Sequence, residues 1–220
     1  MSSESIRHHP GDDLLLALAA GQLPTAPALV LSAHVEGCAH CREQLRLLET
    51  AGGALLQQLP PAELHADALA RALAAIDAPP PAPTPVPVRG LPPLPAGAHW
   101  PRALAGCRIT RWRWMAPGMR YARVRVPRDP SANVVLLRIA AGMYLAQHTH
   151  SERELTQVLY GSFHDGRAHF SAGDFDAADT QVHHQPVVQA GSECVCLASI
   201  EGRLEFDGWF ARRLGALVGM

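Results

Sequence analysis

The first 77 residues carry a helical pattern of apolar positions. Leucine and alanine recur at three- and four-residue spacing, so that they line one face of a helix. The last of these segments illustrates this spacing with Leu64, Leu69, Leu73 and Ile76. The pattern predicts four helices, over 14–20, from about Pro27 to Gly37, from Cys38 to about Gln58, and from about Pro61 onward.

Local signals mark the helix ends. Asp12 or Asp13 is expected to cap the first helix, and Gly37 suits the end of the second, because glycine accepts the left-handed conformation. The Gly52-Gly53 pair is expected to interrupt the third. Four short helices in so few residues predict a small bundle with a thin core, which a bound metal would stabilise.

The segment 78–98, "APPPAPTPVPVRGLPPLPAGA", contains nine prolines. Proline fixes φ and lacks an amide donor, so neither a helix nor a central strand is expected there. Such a segment is extended and semi-rigid. The sequence therefore predicts a helical domain over 1–77, a linker over 78–98 and a second domain over 99–220.

After the linker the apolar period changes to two. In "YARVRVP" the residues alternate between polar and apolar faces, and "NVVLLRIAAG", "ELTQVLYGSF" and "CVCLASIEG" are further strand-like runs. Many short strands separated by Gly, Pro and Asp predict a closed β-barrel or sandwich. The expected fold class is α+β and multidomain, with a small helical bundle followed by an all-β domain.

Composition narrows the function classes. The formal net charge of −1 argues against a nucleic-acid binder or a membrane-surface binder. The start of the chain lacks a signal-peptide pattern, and no apolar run approaches the length of a membrane span. We therefore expect a cytoplasmic protein, in which a CxxC pair indicates metal binding or thiol redox chemistry rather than a structural disulfide.

The stretch "HVEGCAHC" places His34, Cys38 and Cys41 close together. If the second helix ends at Gly37, His34 lies in its last turn, and both cysteines open the third helix on one face. The N-terminus of a helix favours thiolate, and zinc binds thiolate and imidazole in tetrahedral geometry. These features predict a structural zinc site.

A tetrahedral structural zinc site needs four ligands, and this stretch supplies three. His40 lies between the two cysteines and points to another part of the helix surface, whereas the N-terminal "RHHP" offers His8 or His9. Two other interpretations remain, a redox CxxC pair and ordinary core cysteines. No βαβ pattern surrounds the pair, which disfavours a thioredoxin-like site.

A second group of possible ligands is His148, His150 and Glu154, spaced as H-x-H-x3-E. On a strand the two histidines face the same side, and Glu154 can meet them if the next strand returns alongside. Such a set suits Zn, Mn, Fe or Ni. The alternative is that these residues are surface polar residues of a loop.

This second group resembles the first cupin motif, G-x5-H-x-H-x3-E-x6-G, from Gly142 to Gly161. "AGDFDAADTQVHHQP" resembles the second cupin motif, although the usual Pro and Gly before its histidine are missing. His183 and His184 compete for the ligand position, since adjacent residues of a strand face opposite sides. The family pattern implies His184.

The whole chain resembles the ChrR-type anti-sigma factors, in which a zinc-binding anti-sigma domain precedes a cupin. "IRHHP", "HVEGCAHC", "AQHTHSERELTQVLYGSF" and "CVCLAS" carry the resemblance. It implies two metal sites, one of zinc in the helical domain and one of zinc or another divalent transition metal in the cupin. The implied ligands are His9, His34, Cys38 and Cys41 in the first site and His148, His150, Glu154 and His184 in the second.

The resemblance also implies a function. The helical domain would bind and inhibit an extracytoplasmic-function (ECF) sigma factor of RNA polymerase, and the cupin would release it on an oxidative signal such as singlet oxygen or organic peroxide. We thus expect a regulator without enzymatic activity that binds neither nucleic acid nor membrane directly. The alternative is a metal-dependent cupin enzyme such as a dioxygenase. Cys194 and Cys196 face one way on a strand and are expected to be buried and inert, with oxidation as the alternative role.

Overall fold

The structure is a computed structural model that describes residues 6–78 and 91–207. Most of the predicted proline linker, 79–90, lies outside the described residues, as does 208–220. The helical part has four helices, as predicted. They are α1 (Asp12–Ala19), α2 (Thr25–Gly37), α3 (Ala39–Gln57) and α4 (Ala68–Asp77).

Three details of the helices differ from the prediction. Gly11 precedes α1 and no side chain caps it; the two aspartates lie in its first turn, where the positive end of the helix dipole favours them. The helix α3 continues through Gly52 and Gly53, because a helical glycine is unfavourable by only ~1 kcal/mol. The helix α4 begins at Ala68 rather than near Pro61, so Leu64 lies outside it.

The described residues after the linker form antiparallel β-structure, preceded by one 3₁₀ turn, Arg102–Leu104. The strands are β1 (Arg108–Ile109), β2 (Arg113–Ala116), β3 (Met119–Val126), β4 (Asp129–Ile139), β5 (His148–His150), β6 (Glu154–Tyr160), β7 (Ser162–His164), β8 (His169–Ser171), β9 (Phe175–Ala178), β10 (Val187–Val188), β11 (Cys194–Ile200) and β12 (Leu204–Phe206). The predicted fold class, a small helical part followed by an all-β domain, is confirmed.

Seven strands form the largest sheet. Its order is β1-β3-β4-β11-β6-β9, and β2 pairs with β3. Two smaller sheets, β10-β7-β8 and β12-β5, complete the β domain. Phe163 and Phe170 of the three-stranded sheet and Phe206 of the two-stranded sheet share one core with β4 and β11. The strands therefore enclose a barrel-like interior.

Both faces of the large sheet are buried. On β4, Val135, Leu137 and Ile139 belong to the barrel core, whereas Val134 and Leu136 belong to a second core shared with the helices. All seven residues of β11 are buried. This two-sided burial explains why these strands have continuous apolar sequences instead of alternating ones.

The second core joins the helices to the sheet. Val30 and Leu31 of α2 are fully buried, and Leu14 and Leu15 of α1 pack in the same cluster. Cys41 is the buried residue of α3. By contrast, α4 has no buried residue. The core of the helical bundle is thus continuous with the sheet, and the fourth helix lies outside it.

No helix in the part of the chain that the structure describes is long and apolar enough to span a membrane.

Gly161 provides a test of the strand packing. Gly142 and Gly161 have nearly equal φ angles of 71° and 70°, but only at Gly161 would a Cβ atom overlap a backbone atom, the carbonyl oxygen of Glu193. Gly142→Ala should destabilise the protein by about 1 kcal/mol through the left-handed conformation. Gly161→Ala should destabilise it by a further 1–3 kcal/mol, roughly, because β11 must move.

Denaturant unfolding of the two variants measures this difference. Equal free energies of unfolding would show that the chain relieves the overlap without loss of packing.

Candidate metal centres

The first candidate centre lies where three segments of the helical part meet. His9 lies before α1, His34 is in the last turn of α2, Cys38 is the N-cap residue of α3 and Cys41 is in its first turn. One possible ligand atom from each lies within 4.8 Å of all the others. We refer to these four residues as the helical cluster.

The distances suit a tetrahedral ion. His34 Nε2 lies 3.3 Å from the Cys41 sulfur, and His9 Nδ1 lies 3.4 Å from the sulfurs of both Cys38 and Cys41. Zinc bonds of 2.0–2.3 Å at tetrahedral angles place nitrogen and sulfur ligands about 3.5 Å apart. The four side chains are therefore spaced as the ligands of one zinc ion.

The corner between α2 and α3 sets this geometry. The Cys38 amide donates to the His34 carbonyl oxygen at 2.9 Å and so ends α2. The Cys38 sulfur accepts the amide of Cys41 at 3.5 Å and so begins α3. Arg42 donates to the carbonyl oxygens of Val35 at 3.3 Å and Glu36 at 2.9 Å. Local backbone bonding thus orients both cysteines before any ion binds.

Burial controls protonation in this cluster. It lowers the pKa of His34 to about 4, so the imidazole is neutral near pH 7 and can bind a metal ion. Burial, followed by the Cys38 side chain, raises the pKa of Cys41 to about 12. A divalent cation must therefore displace the Cys41 proton as it binds.

The two histidines left out of the predicted zinc site lie outside the helical cluster. His40 is exposed, and its ring centroid is 4.9 Å from that of His9. His8 is half-buried rather than a surface residue: its ring packs on Phe170, and its Nε2 lies 3.1 Å from the His169 carbonyl oxygen. The structure therefore brings His9, and not His8, to the cysteines.

The second candidate centre lies inside the β domain. His148 and His150 are on β5, and His184 forms an isolated bridge with His148. The three histidines are buried, and one nitrogen from each lies within 4.8 Å of the others. We refer to them as the barrel cluster. His183 is exposed and pairs with Asp207 at 2.9 Å.

The hydrogen bonds of the barrel cluster leave unprotonated nitrogens facing one another. His148 Nδ1 lies 2.8 Å from the Ala146 carbonyl oxygen, and His184 Nδ1 lies 3.0 Å from an Asp165 carboxylate oxygen. Both Nδ1 atoms must donate, so in the neutral rings both Nε2 atoms carry lone pairs, 3.2 Å apart. Burial lowers the pKa of His148 to about 4. A metal ion between the rings would relieve this repulsion.

Glu154 lies beside this group. Its carboxylate oxygen is 3.2 Å from His150 Nδ1, although that nitrogen has no well-oriented hydrogen bond among the described residues. Burial raises the pKa of Glu154 to about 7. Glu154 is not one of the three residues that lie mutually within 4.8 Å, so the structure places it beside the histidines rather than among them.

A cavity of about 50 Å³ adjoins the barrel cluster, large enough for more than one water molecule. Its walls are mostly apolar, with four polar side chains among them. They are formed by Leu137, Ile139, Leu145, Glu154, Thr156, Phe163, Asp176, His184, Pro186, Val188, Cys194 and Cys196. The two cysteines are buried, as predicted, and their sulfurs lie 3.6 Å apart.

Three charged residues around His184 are not among the predicted ligands. The Arg167 guanidinium bonds to Asp165 at 2.7 Å and to Asp176 at 2.8 Å. Burial raises the pKa of Asp165, but hydrogen bonds from His184, Ala168 and Arg167 outweigh it and keep that pKa below its usual range. Asp165 thus stays ionised and holds the tautomer of His184.

Comparison with known proteins agrees with this architecture. Residues 102–201 match the family model described as the ChrR Cupin-like domain. The chain is 36% identical over 212 residues to the anti-sigma-E factor ChrR of Cereibacter sphaeroides, covering 94% of this chain and 96% of the relative. The chain belongs to the ChrR family of anti-sigma factors.

A solved structure of ChrR shows the same fold. The crystal structure of Rhodobacter sphaeroides SigE in complex with the anti-sigma ChrR matches 90% of this chain and 100% of that chain, with 36% identity and a TM-score of 0.73. An RmlC-like cupin from Ralstonia eutropha covers 47% of this chain and 69% of its own, with 18% identity and a TM-score of 0.39. A similarity this distant adds nothing on function.

The residues that hold the histidines of this ChrR family member are not among the predicted ligands. Asp165 follows β7 without any pattern that marks it. Gln157 carried a weak signal, because it interrupts the apolar face that Leu155 and Leu159 form on β6. A polar residue on such a face is expected to have a buried partner. Its partner is His34, at 2.9 Å.

The metal content of the purified chain tests the two centres. The wild type should carry about two divalent ions per chain, and Cys41→Ser should carry about one, because the helical cluster loses a thiolate. Cys107→Ser is the matched control, since Cys107 belongs to neither cluster. Elemental analysis after gel filtration gives the stoichiometry. Two ions in Cys41→Ser would contradict the assignment of the helical cluster.

Proposed function

We propose that this chain binds and inhibits an ECF sigma factor through its helical part, and that an oxidative signal acting on the cupin domain reverses the inhibition. Membership of the ChrR family supports this proposal. The relative is described as an anti-sigma-E factor, and its structure is of a complex with SigE. We also propose the domain boundaries 1–77 and 99–220, with 78–98 as the linker.

The exposed apolar residues of α4 carry the proposal. Leu69, Leu73 and Ile76 are 72%, 53% and 78% exposed, and no residue of α4 is buried. A ten-residue helix without tertiary packing is marginal in water. The apolar side chains that would stabilise it have no partner among the described residues, which favours a second protein as the partner.

The end of α3 and the segment between α3 and α4 add further exposed leucines. Leu55, Leu56, Leu59 and Leu64 are each more than 60% exposed. We define the apolar helical surface as these four leucines together with Leu69, Leu73 and Ile76. A sigma factor that buries this surface would order α4 as it binds.

The helical cluster would stabilise the conformation of the helical part that binds the sigma factor. Its four residues come from three segments of a bundle whose own core is small. We propose that zinc binds to His9, His34, Cys38 and Cys41, because two thiolates and two imidazoles in tetrahedral spacing are a structural zinc set. Zinc would then contribute folding free energy to this part.

The barrel cluster and its cavity support the sensing role. We propose that His148, His150, Glu154 and His184 hold zinc or another divalent transition metal. The mutual contact of Cys194 and Cys196, together with burial, raises the pKa of Cys196 well above its usual range. Because a protonated thiol reacts slowly with peroxide, the metal ligands are the better first target for an oxidant that enters the cavity.

The alternative, a cupin enzyme such as a dioxygenase, would use the same cavity. It assigns no role to the helical cluster or to the apolar helical surface. We therefore propose regulation rather than catalysis.

Sigma-factor binding tests the apolar helical surface. The double variant Leu69→Ser/Leu73→Ser should raise the Kd for the cognate sigma factor at least about tenfold, since apolar burial at the interface is lost. Leu91→Ser is the control, because Leu91 is 48% exposed and lies outside this surface. Calorimetry with the full chain measures both. An unchanged Kd for the double variant would show that α4 is not part of the interface with the sigma factor.

Release of the sigma factor tests the barrel cluster. Glu154→Gln should still inhibit sigma-dependent transcription but should fail to release the sigma factor when an organic hydroperoxide is added. Glu152→Gln, at an exposed position two residues away, should respond as the wild type does. In vitro transcription with and without the oxidant gives both readings. Normal release by Glu154→Gln would show that the barrel cluster takes no part in sensing.

A further inference from the structure

We propose that Gln157, a residue of the cupin sheet, is a positioning residue for the metal centre of the helical part. Its side chain would determine which nitrogen of His34 carries the proton and so present the other nitrogen to the ion. This inference rests on the proposed metal site at the helical cluster. The inference goes beyond that site, because a residue of the cupin domain would help to orient one of its ligands.

The hydrogen bonds of Gln157 allow one arrangement. The residue is only 4% exposed. Its amide nitrogen donates to the Val158 carbonyl oxygen at 3.0 Å, so its amide oxygen is the atom that faces His34 Nδ1, at 2.9 Å. His34 must therefore donate from Nδ1. Its Nε2 then carries the lone pair and points to the Cys41 sulfur, 3.3 Å away.

The strand β6 connects the two candidate centres. Leu155 packs in the core shared with the helices, and Gln157 faces the same side, whereas Val158 packs in the barrel core. Glu154, at the start of β6, lies beside His150. Glu154 and Gln157 are three residues apart, about 10 Å along a strand. One short strand thus contacts a histidine of each cluster.

The turn that follows β8 holds the second histidine of the helical cluster. Asp174 is buried, and its carboxylate accepts the backbone amides of Arg7 at 2.7 Å and His8 at 3.0 Å. The Phe175 amide donates to the His8 carbonyl oxygen at 3.0 Å. The residue before His9 is therefore bonded to the sheet through both its amide and its carbonyl group.

This turn is itself fixed to β6. The Val158 amide donates to the Asp174 carbonyl oxygen at 3.0 Å, and the Gly173 amide donates to the Val158 carbonyl oxygen at 2.9 Å. Gly173 has a φ of +97°, and a Cβ atom there would lie 2.8 Å from the Ile6 side chain. Glycine lets the N-terminal segment pack against the turn, next to Gln157.

The cupin domain thus orients the imidazole of His34 and holds the backbone just before His9, whereas both cysteines are oriented by the helices. If β6 moved away from α2, His34 would lose the acceptor that selects its tautomer, and the affinity for metal would fall. A purely structural role for Gln157 predicts a different result: loss of overall stability with no selective effect on metal binding at the cysteines.

Titration of the metal-free full chain with Co²⁺ separates these two roles. The thiolate-to-cobalt charge-transfer band reports on the helical cluster, because the barrel cluster contains only histidines. Gln157→Leu, which removes the acceptor and keeps the bulk, should weaken the Co²⁺ affinity read from this band by about 10- to 100-fold. Gln157→Glu keeps an acceptor oxygen and should stay within about threefold of the wild type.

The control is Gln181→Leu, at an exposed position of the same domain, which should bind as the wild type does. The stoichiometry at the barrel cluster reports whether each variant is folded. If Gln157→Leu aggregates, Gln157→Asn serves instead, since its shorter side chain withdraws the acceptor. Wild-type affinity in the folded variant that lacks the acceptor would overturn the inference.

The same titration separates this inference from the proposed function. If the wild type shows no charge-transfer band, the metal site and this inference both fail. If the Gln157 variants behave as expected but the wild-type chain does not bind the sigma factor, the inference stands and only the proposed function fails.

Discussion

The seven-stranded sheet is covered on both faces, by the barrel interior on one side and by α2 on the other, with α1 and α3 contributing to the same core as α2. Because successive residues of a strand point to opposite faces, each central strand contributes to two cores at once. The helical part has a small core of its own, and its buried residues share one cluster with the sheet. The helices could not separate from the sheet without exposing Val30, Leu31 and the outer side chains of β4, β6 and β11.

This shared core also places the two candidate metal centres on opposite sides of one sheet. Burial keeps His34 and His148 neutral near pH 7 and, in the helical cluster, keeps the Cys41 thiol protonated until a cation binds. Each centre has fixed acceptors behind its histidines, Gln157 behind His34 and Asp165 behind His184. Such contacts set the tautomers and make each centre sensitive to movement of the surrounding strands.

The apolar helical surface, in contrast to the two candidate metal centres, is exposed to solvent. The helices α1 to α3 are held by the sheet and the helical cluster, whereas the leucines of α4 contact solvent. A protein that keeps such a surface unpaired needs a partner to cover it. The fold thus separates a rigid part, in which metal ligands are positioned, from an apolar element available for binding.

The sequence by itself determined the helices, most strands, the all-β class of the second half and the spacing of both groups of ligands, because these depend on local periodicity and on motif spacing. The residues alone left His8 and His183 as alternatives, although the family resemblance implied His9 and His184. The tertiary structure brings His9 and His184 to the clusters, since adjacent residues of an extended segment face opposite ways and packing decides which way is inward. It also revealed Gln157, Asp165 and Asp174, whose partners are distant in sequence, and showed that α4 is unburied. Long-range hydrogen bonds and burial depend on how separate segments meet, and no local pattern in the chain encodes that.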